Sequence, residues 1–378
     1  MIHTFTSAAP NYLGKVRALL QSLRLHLPGA QLHWLVVDRP SDALRTVLDG
    51  DMAEEVDGVR HITDFETFQD PGWLFQRQGV ELATVGKAFM ARELMDRDDC
   101  DTVLYFDPDV VVFSPLDDVL DQLATASLTL TPHLLHPADS REAVRVHELC
   151  ALRHGVFNLG FLGVRNCPEG QEFLTWWRER CLLSCEFPWR RDGYTAQRWM
   201  DFAPTFFPGT TICRSPRLNV APWNLDQRSL VGTFDEGFTV EGEPLGFYHF
   251  TGFDSGAHRT MVDHWAPDNP SLSAILEWYT RRIDHLDGDM PWGLEHYADG
   301  VPITAVARKL YRDREDLREQ YPDPYAVTPD EDESCFQWWY RTVAPYEYPE
   351  LPKLEKQMRL PEEPLERWLP GDPRTADP

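Results

Sequence analysis

Apolar positions along the chain fall into short strand-sized runs separated by amphipathic stretches with three- and four-residue spacing. That alternation is the pattern of an α/β chain. Residues 2–9, IHTFTSAA, predict a first strand. From Tyr12 to Leu27, the residues Val16, Leu19, Leu20, Leu23 and Leu27 lie on one helical face, and Pro28–Gly29 stop the helix. Leu32–Val37 predicts a second strand that ends at Asp38, before the break at Pro40–Ser41. Val59–Ile62 predicts a third strand, and Leu82–Met95 a helix closed by the polar run DRDDCD. The strongest strand runs from Thr102 to Phe106 and continues across Pro108 into Val110–Phe113, with Pro115 closing it. Leu116–Leu123 follows as a short helix and Leu128–Thr131 as a strand, which leads into a loop holding His133, His136 and Pro137.

Further along, Val156–Val164 reads as a strand interrupted by Gly160 and Gly163. Gly170–Leu183 reads as a helix, Tyr194–Phe202 as a short one, and Phe206 to Ile212 as a small strand region. Ala221–Leu225 and Gly246–Phe250 read as strands flanking a glycine-rich connection. After Pro267 the pattern becomes helical, at Leu272–Leu286 and Ile303–Gln320. The expected organisation is an α/β domain over 1–265, a helical C-terminal extension over 266–360 and an acidic, proline-rich tail over 361–378.

Composition narrows the function classes. Of 378 residues, 42% are hydrophobic and 12% aromatic, which is globular composition. There are 61 acidic residues against 36 basic ones, a formal charge of −25. A chain this acidic is a poor general binder of nucleic acid, although a bound cation or a local lysine can admit a phosphate. No apolar run approaches the ~18 residues of a membrane-spanning helix. The start, MIHTFTSAAPNYLGKVRALL, reads as part of the fold and not as a leader. Cys181 and Cys185 lie four apart with no second pair at metal-ligand spacing, so the cysteines read as free thiols of a reducing compartment.

The sharpest local feature is VLYFDPDVVVFSPLDD. Asp107 and Asp109 stand two apart at the end of an apolar strand, where a period of two can turn both carboxylates the same way. Such a pair reaches one hard divalent cation, and open α/β sheets put their ligands beyond the carboxyl ends of strands. The other reading is a polar turn between two strands. His249, in GFYHFTGFD, sits where a strand meets a glycine. It reads either as a third ligand for that cation or as a hydrogen-bonded core histidine.

These segments carry a family resemblance. TFTSAAPNYLGKVRALLQSL, LYFDPDVVVFSPLDD, FNLGFLGV, APWNLDQRSL and GFYHFTGFD, in that order over roughly residues 3–256, resemble the GT-A type glycosyltransferases of bacteria. The likeness is to the retaining glycogenin and lipopolysaccharide galactosyltransferase group and its polysaccharide-biosynthesis relatives. YADGVPITAVARKLYR resembles a segment that follows the catalytic domain in such relatives.

The resemblance implies a Rossmann-like nucleotide-sugar-binding sheet with helices on both faces. It implies metal-dependent, retaining transfer of a sugar, most simply a hexose, from a nucleoside diphosphate sugar to an acceptor hydroxyl. The donor it implies is a UDP-sugar, the metal Mn²⁺ or Mg²⁺, and the acceptor a glycan, a lipid-linked sugar or a small molecule. It implies a cytoplasmic protein, peripheral at the inner membrane face.

On this chain, Thr6, Ser7 and Ala8 fall where the first strand meets base and ribose, and Asp38 falls at the nucleotide pocket. Lys87 falls on a lysine that contacts donor phosphates or sugar; its other reading is a surface lysine. Asp107, Asp109 and His249 fall on the metal shell, and Gly252 on a glycine near the phosphates. Asn158, in FNLG, falls on a residue that points at the transferred sugar, with Gly160 allowing close approach of substrate; Asn158 also reads as a turn asparagine. Relatives carry Asp-Gln near the reacting centre where this chain has Ala196–Gln197. Gln197 then acts alone, or Asp192 upstream takes the place of the missing acid.

Trp73, Trp223, Trp338 and Trp339 read as sugar-stacking faces or as packing. The other function classes are a non-catalytic nucleotide-sugar or glycan binding module with a degenerate site, and a metal-dependent pyrophosphatase or nucleotidyltransferase.

Overall fold

A computed structural model describes residues 1–186, 196–286, 290, 292–328 and 334–359. The 361–378 tail and Asp192 therefore lie outside the described residues.

The central sheet has seven strands: β1 (Ile2–Ala8), β2 (Gln31–Val36), β3 (Gly58–His61), β4 (Thr102–Phe106), β6 (Leu128–Pro132), β7 (Phe157–Arg165) and β8 (Thr210–Ile212), in the order β3-β2-β1-β4-β7-β6-β8. The four strands β1 to β4 run parallel, β7 is antiparallel to both β4 and β6, and β8 is parallel to β6. Between β4 and β6 the chain forms β5 (Val110–Val112), which leaves the central sheet and pairs antiparallel with β12 (Phe247–His249). A meander of β9 (Leu230–Thr233), β10 (Gly237–Val240) and β11 (Glu243–Pro244) precedes β12.

Helices cover both faces of the sheet. In chain order the first eight are α1 (Leu13–His26), α2 (Asp42–Asp49), α3 (Pro71–Phe75), α4 (Gly79–Met95), α5 (Asp117–Leu123), α6 (Arg141–Ala143), α7 (Leu149–His154) and α8 (Pro168–Glu186). They are followed by α9 (Ala203–Phe206), α10 (Ala257–Trp265), α11 (Pro270–Leu286), α12 (Ala305–Asp313) and α13 (Glu315–Gln320).

Strand alternation divides the apolar residues between two layers. Phe5, Leu35, Val103 and Tyr105 share a core with Leu82 and Val85 of α4 and with Phe173 and Trp177 of α8. Leu32, Trp34, Val36, Leu104 and Phe106 share another with Val16, Leu19 and Leu23 of α1 and Val119 of α5. The periodicities predict this α/β alternation, and the placement of helices on both faces is what the family resemblance implies.

The segment after residue 265 is helical and builds on the same core. Phe75 of α3 meets Tyr311, Tyr325 and Phe336 edge-on, with ring centroids 5.1 to 5.3 Å apart. Arg308 is buried yet satisfied. Its guanidinium donates to the carbonyls of Phe75, Arg77 and Leu294 and lies 3.1 Å from Glu295. A charge removed from water requires such partners, so Arg308 pins the C-terminal segment to the loop before α4.

Several local expectations are corrected. Ala221–Leu225 is not a strand: Pro222–Asn224 is a 3-10 turn. Asn224 accepts the Ala221 N–H at 3.0 Å and donates to the Asn219 and His133 carbonyls, which gives the backbone an alternative to sheet pairing. The expected helix Ile303–Gln320 is two, because Arg314 takes an extended conformation between α12 and α13. The strand expected to continue across Pro108 splits between two sheets. The glycine-rich connection before β12 is the β9–β11 meander, turned at Gly237 and Gly242, which both take positive φ.

Burial sets a pH dependence on this fold. Desolvation, followed by the neighbouring His3, pushes His33 down to about 4 from the ordinary 6.5, and desolvation pushes His147 and His258 down to about 4 as well. These rings are neutral when folded and bind a proton when unfolded. Their stabilisation is therefore complete above the unfolded value and is lost as pH falls towards the folded one. Most carboxylates still carry their charge down to about pH 5, so relief of acidic repulsion does not mask the effect. The melting temperature is expected to fall by ~5 °C or more between about pH 7 and pH 5, measured by calorimetry. A flat profile would contradict it.

Candidate metal and donor site

The parallel strands β1 and β4 end side by side, with Phe5 paired to Tyr105. The chain turns directly after β4: the Asp107 N–H donates to the Gly160 carbonyl at 2.9 Å, and the Asp107 carbonyl accepts the Val110 N–H at 3.1 Å. On the far side of the turn, the Asp109 carbonyl accepts the Phe250 N–H at 2.8 Å, and His249 pairs with Val110 across the small sheet. Backbone pairing therefore brings Asp107, Asp109 and His249 together. One ligand atom from each lies within 4.8 Å of the others. His249 Nε2 stands 3.1 Å from Asp109 and 3.8 Å from Asp107.

The donor set suits a divalent cation. Two hard carboxylate oxygens and one imidazole nitrogen are common ligands of Mn²⁺ and Mg²⁺-like ions. The tautomer suits it too. His249 Nδ1 faces the Asn158 amide oxygen at 3.2 Å, and that oxygen also accepts the Gly160 N–H at 2.9 Å. An oxygen only accepts, so Nδ1 carries the hydrogen and Nε2 is turned to the carboxylates. Burial works against a charged ring, but Asp109 and Asp107 outweigh it and raise the His249 pKa. Burial likewise pushes Asp109 upwards, and His249 together with Lys15 outweighs that and holds it below the ordinary carboxylate value. A proton and a metal ion at this site would therefore compete for the same nitrogen.

Gly160 is the steric condition for this contact. A Cβ there would lie 2.4 Å from His249 Cε1 and 2.7 Å from the Asn158 amide oxygen. The space beside Gly160 is filled by the histidine ring. The local backbone is irregular for the same reason: the β6–β7 register shifts between Leu130 and Thr131, so that Leu130 faces Leu162 and Thr131 faces Asn158. Such a bulge re-aims side chains at a strand end. It also releases the Leu159 N–H, which donates to the Gln197 amide oxygen at 2.9 Å. The Gln197 nitrogen donates to the His154 carbonyl at 3.0 Å, so both ends of this side chain hold backbone.

Two lysines flank the carboxylates. Lys87, from α4, lies 2.7 Å from Asp107, and its ammonium stands 4.6 Å above the Tyr105 ring. The Tyr105 hydroxyl donates to the same Asp107 oxygen, and burial followed by Asp107 keeps it protonated. Lys15, from α1, is buried, pairs with Asp254 in the turn after β12, and lies over Tyr12 at 4.6 Å. The sequence singled out Lys87 but not Lys15, Tyr105 or Asp254, which lie within periodic apolar stretches or a generic turn.

The remaining expected residues divide. Gly252 closes the turn after β12 at φ 71°, a left-handed conformation that favours glycine. Thr6 is fully buried, and the Ser7 hydroxyl donates to the Ala83 carbonyl of α4 at 2.9 Å. Ala8 ends β1 and accepts the Val37 N–H. Asp38 is buried, and its carboxylate accepts the backbone N–H groups of Arg39, Gly293 and Leu294. Of the four tryptophans, Trp223 stands beside the cluster, edge-on to His249 at 5.3 Å. Trp73 lies under Arg77, and Trp339 stacks on Phe336.

No protein-family model matches the chain. It is 27% identical over 316 residues to the uncharacterized protein YfnD of Bacillus subtilis (strain 168), spanning 80% of this chain and 96% of that one. It is 25% identical over 206 residues to the uncharacterized protein YfnF of the same organism, spanning 54% and 66%. Among solved structures it is similar to the galactosyltransferase LgtC in complex with donor and acceptor sugar analogs, at 18% identity and a TM-score of 0.47, covering 77% of this chain and 98% of that one. It is also similar to the glycosyltransferase GlyE of Streptococcus pneumoniae TIGR4, at 16% identity and a TM-score of 0.41, covering 75% and 64%. A third is mouse xyloside xylosyltransferase 1, at 12% identity and a TM-score of 0.39, covering 66% and 98%. These solved structures are glycosyltransferases, as are the GT-A proteins that the motifs of this chain resemble.

Proposed function

We propose that the chain transfers a sugar from a nucleoside diphosphate sugar, most simply a UDP-hexose, to an acceptor hydroxyl, with retention and with Mn²⁺ or Mg²⁺ bound. The observation that carries this reading is the convergence of Asp107, Asp109 and the Nε2 face of His249 beyond the carboxyl ends of β1 and β4. That is where an α/β sheet leaves room for a ligand. A divalent cation held there supplies Lewis-acid neutralisation of a leaving diphosphate. The acceptor is a glycan, a lipid-linked sugar or a small molecule, reached in the cytoplasm or at the inner membrane face. No described helix is long and apolar enough to cross a membrane.

The chain's own residues prepare this step. Lys87 neutralises Asp107 before the donor arrives and is placed to exchange that carboxylate for a phosphate oxygen. Asn158 fixes the His249 tautomer, and Gln197 holds the bulged strand that carries Asn158. The anomeric carbon–oxygen bond breaks with its electron pair passing to the diphosphate. The acceptor oxygen forms the new bond, and its proton passes to a diphosphate oxygen on the same face. Thr6, Ser7, Ala8 and Gly252 shape the donor crevice through backbone and small side chains.

Three outcomes test the reading. Asp109→Asn is expected to lower donor turnover by about 10²-fold or more with the melting temperature within a few degrees of the native value. Full native turnover in chelator would reject the metal role, and tight donor binding without turnover in any metal would mark a binding module. Asn158→Ala is expected to weaken Mn²⁺ binding about 10- to 100-fold by titration calorimetry, as loss of a partner that orients a ligating histidine does. Unchanged affinity would remove Asn158 from the metal site. Native Mn²⁺ affinity is expected to fall as pH is lowered through the raised His249 value, because protonated Nε2 cannot ligate. In His249→Ala that slope should flatten, and a slope identical to native would contradict the ligand assignment.

A further inference from the structure

The C-terminal segment crosses the end of β2, two strands from the carboxylates that follow β4. Trp292 donates its indole N–H to the Val37 carbonyl at 3.0 Å. The next two residues, Gly293 and Leu294, donate their backbone N–H groups to the two oxygens of Asp38. Glu295 accepts the Gly79 N–H at the start of α4 and pairs with Arg308, which also holds the Leu294 carbonyl. Gly79 is open to the Trp292 ring: a Cβ there would lie 1.6 Å from its Cη2. Five hydrogen bonds and an ion pair thus fasten a four-residue strap, 292–295, across the sheet end.

The position is informative. Asp107 follows β4 and Asp38 follows β2, with β1 between them. Two strand spacings separate the cation site from the strap, about 10 Å. At that distance, the nucleoside of a diphosphate held on Asp107 and Asp109 can reach Trp292 along the ends of β1 and β2. Both Asp38 oxygens already accept backbone N–H groups, from Gly293 and Leu294 of the strap and from Arg39. Trp292 is only half-buried, with its ring against Gly79.

We infer that the strap 292–295 forms the base-binding wall of the donor pocket, with the half-buried Trp292 against the base and Asp38 as the anchor of the strap. This inference rests on the nucleotide-sugar reading above. It makes the C-terminal extension part of the substrate site and assigns Trp292 to donor selection.

The test separates base from phosphate. Binding of UDP, GDP, ADP and CDP, and of inorganic pyrophosphate, is measured by calorimetry with saturating Mn²⁺ on the full chain. The native protein is expected to bind one nucleoside diphosphate more tightly than pyrophosphate. Trp292→Ala should weaken that nucleotide about tenfold or more, the loss expected when a base–aromatic contact is removed, and leave pyrophosphate within about twofold. Trp292→Phe keeps an aromatic face without the bond to Val37 and should recover most of the affinity, which guards against a misfolded alanine variant. Equal weakening of nucleotide and pyrophosphate, or no weakening of either, would overturn the inference while leaving the nucleotide-sugar reading in place. A native protein that binds pyrophosphate as tightly as every nucleotide also overturns it. A native protein that binds neither would overturn the nucleotide-sugar reading itself.

Discussion

The structure depends on one contact: the His249 ring lying flush against the glycine face of β7, with its Nδ1 hydrogen held by Asn158. Four separate features are needed for it. Gly160 must lack a side chain, β7 must bulge to turn Asn158 inward, β12 must pair with β5, and the turn after β4 must place Asp109 opposite Nε2. Each has a local physical cause, and together they bring three potential ligands from two distant parts of the chain to one point. Removal of any one would leave a buried imidazole or carboxylate without its partner, which is costly in a low-dielectric setting.

The local charges make sense against the whole. With a net charge of −25, the long-range field repels a diphosphate. Lys87 pairs with Asp107, and Lys15, paired with Asp254, helps to hold Asp109 charged. Lys87 thereby offsets one of the two carboxylate charges of the cluster. A divalent ion held there would add the positive charge that a diphosphate requires.

What the sequence made legible, and what it hid, divides along physical lines. Strands β1, β2, β4 and β7 and helices α1 and α4 follow from apolar periodicity, because long periodic segments carry redundant information, whereas helices on both faces of the sheet are what the family resemblance implies. Asp107 and Asp109 stood out because two charges at the end of an apolar strand need an explanation. The role of Asn158 as a partner of His249 did not, since the bulge that aims it comes from register against β6, which no local pattern encodes. Ala221–Leu225 carries the apolar residues of a strand, but its Pro222 and Asn224 turn the backbone, with Asn224 bonded to Ala221 and Asn219. Asp38 read as a nucleotide contact, and its carboxylate instead holds amides of residues 293 and 294, a pairing that only the folded C-terminal segment creates. The tail and Asp192 lie beyond the described residues.

The most direct measurement is anomalous diffraction at the manganese edge from crystals grown with Mn²⁺ and UDP. The account predicts one strong peak at bonding distance from Asp107, Asp109 and Nε2 of His249, with Asn158 still on Nδ1 and Lys87 moved from Asp107 towards a phosphate oxygen. A manganese peak elsewhere, with Nε2 of His249 still bonded to Asp109 and Lys87 unmoved, would contradict it.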